Sequence, residues 1–305
     1  MERSSAMATP ARVIAAALWL ALASPALAAE PAAPVTPGSV LAAAPAADWA
    51  QADANDLLVI DLARGGRVVI LMADAFAPVH VANMRALARA HWYDGLVIER
   101  VQDNYVTQWG DPDGKKPLPA GIAAHPPAEY ERAAAGLALQ ALPYRDPYAE
   151  RVGVVGAFPV ASSGEAAWLT HCYGMVGVGR DLNPDTGTGA ELYAVIGQPA
   201  RPLDRNIAVV GRVLAGMELL AALPRGTADL GFYADPAQRV AIRQVRLAAD
   251  LPAAERPRFE VLKAGSGTYR AWIQVKANRR DTFFLKPAGA LDVCNALPPV
   301  RAAKG

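Results

Sequence analysis

Cysteine and histidine are scarce in this 305-residue chain, and their positions limit the chemistry that it can carry. The two cysteines, Cys172 and Cys294, lie 122 positions apart, which is not the spacing of a zinc motif. In an oxidising compartment they could pair, and two separate buried thiols are the alternative that the sequence leaves open. No two histidines have the spacing of metal ligands, so no metal site is predicted. The histidines are His80, His91, His125 and His171.

The chain also lacks an excess of charge of either sign. Its 30 basic and 29 acidic residues give a formal net charge of +1. Proteins that bind nucleic acid need a basic excess or stripe, so we predict no nucleic-acid partner. The Gly-Val-Gly at 177–179 does not continue into a dinucleotide-binding motif, and the Ser-Ser-Gly at 162–164 is not the nucleophile elbow of a hydrolase. The acidic turn at 111–114 lacks the remaining oxygen ligands of a calcium loop.

Long apolar runs are missing except near the N-terminus, although hydrophobic residues make up 53% of the chain. Arg3 and Arg12 precede an apolar run at 13–23, and the Ala-Leu-Ala at 26–28 is a cleavage site of the A-x-A type. The run is shorter than a membrane span requires. We therefore predict a signal peptide over residues 1–28, no membrane span after its cleavage, and a periplasmic or secreted bacterial protein.

Residues 29–52 are rich in alanine and proline, which predicts a linker or a loosely packed arm. Two β-type runs follow at 57–60 and 68–71, joined by a hairpin turn at 64–67. Pro78 then opens a helical pattern whose apolar residues share one face. These residues are Val79, Val81, Ala82, Met84, Leu87 and Ala88.

Further β-type runs occupy the second half of the chain. Five runs either alternate polar and apolar residues or consist mostly of apolar ones, and each is predicted to be a strand. The last three lie beyond residue 251, where the first two of them are expected to form a hairpin and the third a separate strand. They lie at 208–213, 238–247, 259–262, 269–275 and 282–285. Residues 214–223 predict a short helix between the first two.

One arginine stands alone in an apolar, alternating segment at 93–111. Arg100 lies between Ile98, Val101 and Val106, where a guanidinium is costly to bury unless it is paired or used. Without further signals, such a residue is most often a solvent-exposed arginine on a strand. Two further features reduce that alternative: an aromatic residue at 105 and a glutamine at 108, followed by a Gly-Asp turn.

The segment 93–111 resembles the signature Y-x-G-x-x-F-H-R-V-I-x-x-F-x-x-Q-G-G-D of the cyclophilin-type peptidyl-prolyl isomerases. The matching residues are Tyr93, Gly95, Arg100, Val101, Tyr105, Gln108, Gly110 and Asp111. Residues 77–95 resemble the family's opening helix, and residues 126–130 its short P-x-E-F segment. A second block at 174–217 resembles the later family motifs. It matches at Gly174, Arg180, Gly189, Tyr193, Leu203, Asp204, Val209, Gly211, Val213, Gly216 and Met217.

The resemblance covers about residues 55–248 and implies an all-β fold, a closed, mostly antiparallel eight-stranded barrel capped by two helices. The expected domain then spans 53–250, with 112–170 partly an insertion. Residues 251–305 are about 55 residues, which is marginal for independent folding, so we expect them to pack on the barrel as a small β extension.

The resemblance also implies a function, cis-trans isomerisation of X-Pro bonds in exported polypeptides, with no cofactor. It assigns the catalytic donor to Arg100 and substrate contact to a ring of residues around it. These are Tyr105, Val106, Gln108, Arg180, Glu191, Tyr193, Leu203 and Ile207. The sequence carries no signal of oligomerisation, and a monomer is the default expectation.

The pocket departs from the family pattern at several positions. Glu99 replaces a histidine, Glu191 a glutamine, Pro202 a tryptophan and Ile207 a histidine, while tyrosine replaces phenylalanine at 105 and 193. Fold resemblance alone does not establish activity. A periplasmic binding module or chaperone on the same scaffold, with weak or no isomerase activity, is therefore the alternative function.

Overall fold

The computed structural model describes Met1, residues 34–198 and residues 200–303. Four α-helices are assigned in this part of the chain. They are α1 (Pro37–Ala42), α2 (Pro78–Arg89), α3 (Met217–Ala221) and α4 (Gly267–Ala277). The predicted signal peptide and the first residues of the predicted linker lie outside the described residues. Within the described part, no helix is long and apolar enough to cross a membrane.

Sixteen strands are assigned in the same residues. They are β1 (Trp49–Gln51), β2 (Leu57–Leu62), β3 (Arg67–Met72), β4 (Val97–Val101), β5 (Val106–Gly110), β6 (Arg132–Ala133), β7 (Gln140–Ala141), β8 (Arg151–Val155), β9 (Phe158–Ser163), β10 (Ala166–Leu169), β11 (Met175–Val178), β12 (Leu192–Val195), β13 (Val209–Ala215), β14 (Val240–Leu247), β15 (Phe259–Leu262) and β16 (Val300–Ala302).

Eight strands close an antiparallel barrel in the order β11-β12-β5-β4-β14-β2-β3-β13. Apolar side chains fill the interior, and the buried faces of α2 and α3 extend the same core through Met84, Leu87 and Leu220. Closure leaves no free strand edge in the barrel. The predicted fold class, a closed eight-stranded barrel with helices packed on it, is confirmed.

Local sequence explains the elements at the start of the barrel. The hairpin between β2 and β3 turns at Gly65 and Gly66, whose φ angles of +92° and +96° favour glycine. Helix α2 begins with Pro78 and has no side-chain cap from its own N-cap residue. Instead the Glu129 carboxylate accepts hydrogen bonds from the backbone N–H groups of Val79 and His80, at 2.9 and 3.0 Å. A carboxylate there satisfies free N–H groups and favours the helix dipole.

The predicted insertion forms a sheet of its own. Its strands follow the order β6-β10-β9-β8-β7, and all come from residues 132–169. A second small sheet, β1-β15-β16, joins a strand from the N-terminal arm to two from the C-terminal extension. Both sheets and α4 share one apolar core that contains Trp49, Trp168 and Trp272. The described residues from Val35 onward thus belong to one compact unit.

The predicted linker or loosely packed arm at 29–52 is an arm with regular structure in its second half. Residues 37–42 form α1, whose N-cap Thr36 and Ser39 make a capping box, and residues 49–51 form β1. Alanine and proline are abundant there, but Trp49 is buried and fixes the arm against β15.

The C-terminal hairpin was also predicted with the wrong element. Residues 259–262 form a strand, but residues 267–277 form helix α4 in place of a second strand. Ser266 caps this helix by accepting a hydrogen bond from Tyr269 N at 3.0 Å. The helix buries Tyr269, Trp272 and Ile273, which have helical spacing. Residues 282–285 are not a strand, because Asp281 accepts from the N–H groups at 283 and 284 and closes a turn.

Candidate active site

A row of residues on the outer face of the barrel brings the main candidates together. Cross-strand register places Arg100 opposite Gln108, Gln108 opposite Tyr193, and Tyr193 opposite Gly177, across four neighbouring strands. The register of β4 shifts between Ile98 and Arg100, which marks a bulge. Bulges redirect side chains and are common beside active sites. This one lies immediately before the arginine.

The guanidinium of Arg100 is held on three sides. Its Nη1 donates to Gln108 Oε1 at 2.8 Å, its Nε donates to the Leu230 carbonyl at 2.7 Å, and its Nη2 donates to Gln102 Oε1. The ring of Phe232 lies 5.4 Å from the guanidinium carbon, in the range of a cation–π contact. The arginine is therefore fixed in orientation by neutral partners.

Arg100 keeps its positive charge without a counterion in direct contact. It makes no salt bridge with any described residue. Burial lowers the pKa of Arg100 from its usual value, and the nearby Tyr105, Glu191 and Tyr193 oppose that shift. An arginine remains charged under these conditions. The charge is therefore available to a bound molecule.

Gln108 connects Arg100 to Glu191. Its amide nitrogen donates to Glu191 Oε1 while its amide oxygen accepts from Arg100. Glu191 packs over two glycines, Gly110 and Gly179, where any Cβ would lie within 3 Å of its side chain. Burial raises the pKa of Glu191, and the hydrogen bond from Gln108 opposes the rise. Gln108 thus bridges the guanidinium of Arg100 and the carboxylate of Glu191.

Glu99, at the bulge, is a second perturbed carboxyl near this row. Burial raises the pKa of Glu99 to about 7, and the charge of Glu191 adds to the rise. The residue Glu99 is only 7% exposed, so ionising its carboxyl group near neutral pH is costly. The charge of Arg239 opposes the rise in the pKa of Glu99.

The predicted pocket residues form one apolar cluster beside this row. Seven residues contact one another there on the outer face of β5 and β12 and on the turn after β12. They are Tyr105, Val106, Tyr193, Val195, Ala200, Leu203 and Ile207. Five of them were predicted, whereas Val195 and Ala200 were missed. Val195 lies two residues after Tyr193 on the same strand face, a period-2 signal that was present in the sequence.

Arg180 lies in the loop after β11 and does not contact Arg100. Its Nε and Nη2 donate to the backbone carbonyl of Asn206, at 3.2 and 3.0 Å, and Nη1 donates to the Asp181 carbonyl at 2.6 Å. Asn206 precedes Ile207, so these bonds place Arg180 near the far side of the apolar cluster. A role for Arg180 in substrate contact stays a prediction.

A buried series of hydrogen-bonded polar groups holds the hydroxyl of Tyr193, and it was not predicted from the sequence. Tyr193 Oη lies 2.9 Å from His171 Nε2, and His171 Nδ1 lies 3.0 Å from Asp204 Oδ1. A carboxylate accepts only, so His171 donates through Nδ1, and in the neutral imidazole Nε2 then accepts from the tyrosine hydroxyl. Arg201 donates to Asp204 at 2.6 Å and makes a bidentate pair with Asp146, both bonds at 2.9 Å.

These polar groups link the apolar pocket to the insertion. Asp146 belongs to the segment between β7 and β8, and the ring of Tyr148 lies 4.6 Å from the Arg201 guanidinium carbon. The ring of Tyr193 itself lies close over Gly177, where a Cβ would lie 2.3 Å from Tyr193 Cζ. A side chain larger than glycine at 177 would displace the pocket wall.

Cys172 and Cys294 form a disulfide in the structure, with an S–S distance of 2.05 Å. Cys172 follows His171 directly, so the link fastens the C-terminal extension beside these polar groups. In the part of the chain that the structure describes, no three potential metal ligands cluster.

Both the sequence and the fold are similar to those of known proteins. The family model described as cyclophilin-type peptidyl-prolyl cis-trans isomerase/CLD matches residues 58–247, more than half of the chain. The crystal structure of a cyclophilin from Hirschia baltica is 20% identical, with a TM-score of 0.67. The alignment covers 89% of this chain and 99% of that one. It therefore extends beyond the family region into the flanking segments.

A second solved structure is a cyclophilin-type isomerase from Cryptosporidium parvum, crystallised in the presence of the dipeptide Ala-Pro. It is 12% identical with a TM-score of 0.40, and the alignment covers 63% of this chain and 98% of that one. No curated protein matches the chain.

Proposed function

The chain belongs to the cyclophilin-type peptidyl-prolyl cis-trans isomerase family, and on that premise we propose that it isomerises X-Pro bonds in exported polypeptides with Arg100 as the electrostatic catalyst. Rotation about an X-Pro bond crosses a barrier near ~20 kcal/mol that arises from amide resonance. A site lowers this barrier when it stabilises the twisted amide, whose nitrogen is pyramidal and carries a lone pair.

Arg100 is suited to stabilise that lone pair. The guanidinium is a fixed donor that does not lose its charge. Its neutral contacts with Gln108, Leu230 and Gln102 hold it in place before substrate arrives, so little reorganisation is needed at the transition state. This arrangement, a charged guanidinium beside an apolar cluster with no carboxylate bonded to it, is the observation that carries the proposal.

The apolar cluster around Tyr193 supplies the site for the proline ring. Tyr105, Val106, Leu203 and Ile207 line it with Tyr193, and a ring bound there leaves water. Desolvation also strengthens the interaction between the guanidinium and the amide nitrogen. Gln108 contacts the substrate backbone in this proposal, while Glu191 orients the glutamine.

Two features support exported clients as the substrates. Residues 1–28 have the pattern of a signal peptide. The Cys172–Cys294 disulfide is typical of proteins in oxidising compartments such as the periplasm. The protein would then act on chains that fold after export, as a monomer and without a cofactor.

The test is a protease-coupled isomerase assay on a Pro-containing peptide. We expect Arg100→Ala to lower kcat/KM by about 100- to 1,000-fold, the usual loss when one preorganised donor is removed. Arg100→Lys should recover only part of the rate, because lysine lacks the planar fork. Arg89→Ala is the matched control, since Arg89 is half-exposed and pairs with Asp250 away from the row. A full rate in Arg100→Ala would overturn the mechanism.

A binding module with weak or no isomerase activity is the second candidate. It is favoured by the three internal partners of Arg100 and by the changed residues Glu191, Pro202 and Ile207. The same peptide distinguishes the two candidates. Saturable binding without any rate in the wild-type protein would support the binding module, whereas a rate that depends on Arg100 supports the enzyme.

A further inference from the structure

A cavity of about 610 Å³ lies between the barrel and the C-terminal extension, apart from the row described above. Its walls come from the loops after β4 and β12, from β13, from the start of α3 and from residues 294–297. Cys294 is part of the wall, so the disulfide to Cys172 anchors that wall to the segment before β11. The volume is in the usual range of small-molecule sites.

Arg212 brings a positive charge into this cavity without a counterion. Its Nη1 donates to the carbonyls of Ala157 and Pro298, at 2.9 and 3.0 Å. Its Nε and Nη2 donate to no described residue, and Arg212 makes no salt bridge in the described part of the chain. Burial lowers the pKa of Arg212 to about 10, because desolvation disfavours the charged form.

The Nε–Nη2 edge of this guanidinium is not fully buried. Fully buried donors without a partner occur at Trp49, Trp168 and Arg239 among the described residues, and Arg212 is not one of them. Arg212 lines the cavity, and its Nε–Nη2 edge is neither bonded to a described residue nor fully buried. That edge presents two parallel N–H groups, the geometry that binds a carboxylate in a bidentate manner.

The rest of the wall matches the remainder of such a ligand. No described residue lining the cavity is acidic, and Arg212 is its only cation. Asn104, Gln198 and Asn295 are polar residues of the wall, and Met217 and Leu297 are apolar ones. One positive charge balances one negative charge, which favours a carboxylate over a phosphate dianion.

We propose that this cavity binds an apolar organic carboxylate, with the Nε–Nη2 edge of Arg212 holding the anion and Met217 and Leu297 contacting the apolar body. A purely structural role for Arg212, as a clamp between the insertion and the C-terminal extension, accounts for the two bonds of Nη1. It leaves the second edge of the guanidinium without a function. The proposal is independent of the isomerase activity, since Arg212 is not part of the Arg100 row.

The test is calorimetric titration of the purified full chain with N-acetyl-leucine and with its neutral analogue N-acetyl-leucinamide. We expect saturable binding of the acid and at least tenfold weaker binding of the amide. Equal binding of the two, or no binding of either, would overturn the proposal. Inorganic phosphate is the third probe, and phosphate binding as tight as that of the acid would overturn the assignment to a carboxylate.

Variants separate the anion contact from folding. Arg212→Gln should weaken binding of N-acetyl-leucine at least tenfold, whereas Arg270→Gln should leave it unchanged, because Arg270 is exposed and donates to one backbone carbonyl elsewhere. Asn295→Asp retains Arg212 and its Nη1 bonds but adds a carboxylate to the cavity wall, and it should also weaken binding. Wild-type affinity in both cavity variants would refute the role of Arg212.

A carboxylate with an apolar body occurs both as a free acid and as the C-terminus of a peptide. The tripeptide Ala-Ala-Leu, with a free or an amidated C-terminus, distinguishes these sources. Binding of the free tripeptide at least as tight as that of N-acetyl-leucine assigns the site to chain termini. Binding more than tenfold weaker assigns it to small free acids.

Discussion

The disulfide between Cys172 and Cys294 should stabilise the protein mainly by reducing the conformational entropy of the unfolded chain. It closes a loop of 122 residues, and the chain-entropy relation for a loop of that length gives about 5 kcal/mol at 25 °C. Measured losses for native disulfides are typically about 2–5 kcal/mol. We therefore expect the free energy of unfolding to fall by an amount in the upper part of that range when the link is removed.

Urea unfolding followed by tryptophan fluorescence measures this loss. Three samples are compared: the oxidised protein, the protein with both thiols reduced, and Cys172→Ala/Cys294→Ala. The reduced protein keeps both sulfur atoms, so its loss reports the covalent link alone. The difference between it and the alanine variant reports packing, because Cys172 is only 1% exposed within the shared apolar core.

The slope of the unfolding curve tests the reasoning further. An unfolded chain without the link is more expanded and exposes more surface, so the m-value should rise in the reduced protein. An unchanged urea midpoint in the reduced protein would refute the argument. A lower midpoint with an unchanged m-value would show that the link acts on the folded state instead.

Three further predictions concern single side chains. Tyr193→Phe leaves His171 Nε2 without its partner and should lower the free energy of unfolding by about 1–3 kcal/mol. Because the ring wall remains, kcat/KM in the isomerase assay should change by less than about threefold, and a complete loss of rate would contradict a role limited to the ring. The folded-state pKa of Glu99 is about 7 against an ordinary value of 4.5, so the folded protein binds this proton more tightly than the unfolded chain. Stability should therefore fall as pH rises from about 4.5 to 7, and the urea midpoints of Glu99→Gln at pH 5 and pH 8 should differ less than those of the wild type. Ser266→Ala removes the N-cap of α4 and should cost about 1 kcal/mol in urea unfolding, and no loss would show that the cap bond to Tyr269 is not formed in solution.

The barrel was predictable because its sequence signals are local and consistent. The turn at Gly65, the helix start at Pro78 and the alternating strand at 240–247 each agree with the elements they form. Members of the pocket cluster were predicted where they match a position of the family motif, as Tyr105 does. Val195 was not predicted, because its only signal is the two-residue period of a strand.

Hydrogen bonds between polar residues far apart in the sequence could not be predicted from the sequence. His171 and Asp204 lie in separate loops, and Asp146 lies in an insertion that no motif covers. Helix α4 was missed because aromatic and β-branched residues in its first turns favour strands in isolation, and burial against the other two sheets decides the outcome. The regular structure of the N-terminal arm was missed because its composition hides one anchoring residue, Trp49.

The pairing of β1 with β15 has a consequence for the order in which the chain assembles. Trp49 pairs with Leu262, so the strand made first meets a partner made more than 200 residues later. During vectorial synthesis or export the strands of the barrel, at 57–62 through 240–247, are complete before that partner emerges. The three-stranded sheet can therefore form only after every barrel strand has emerged, so hydrogen-exchange protection at residues 49–51 should be absent from nascent chains that end at residue 250 and present in chains that extend past residue 262.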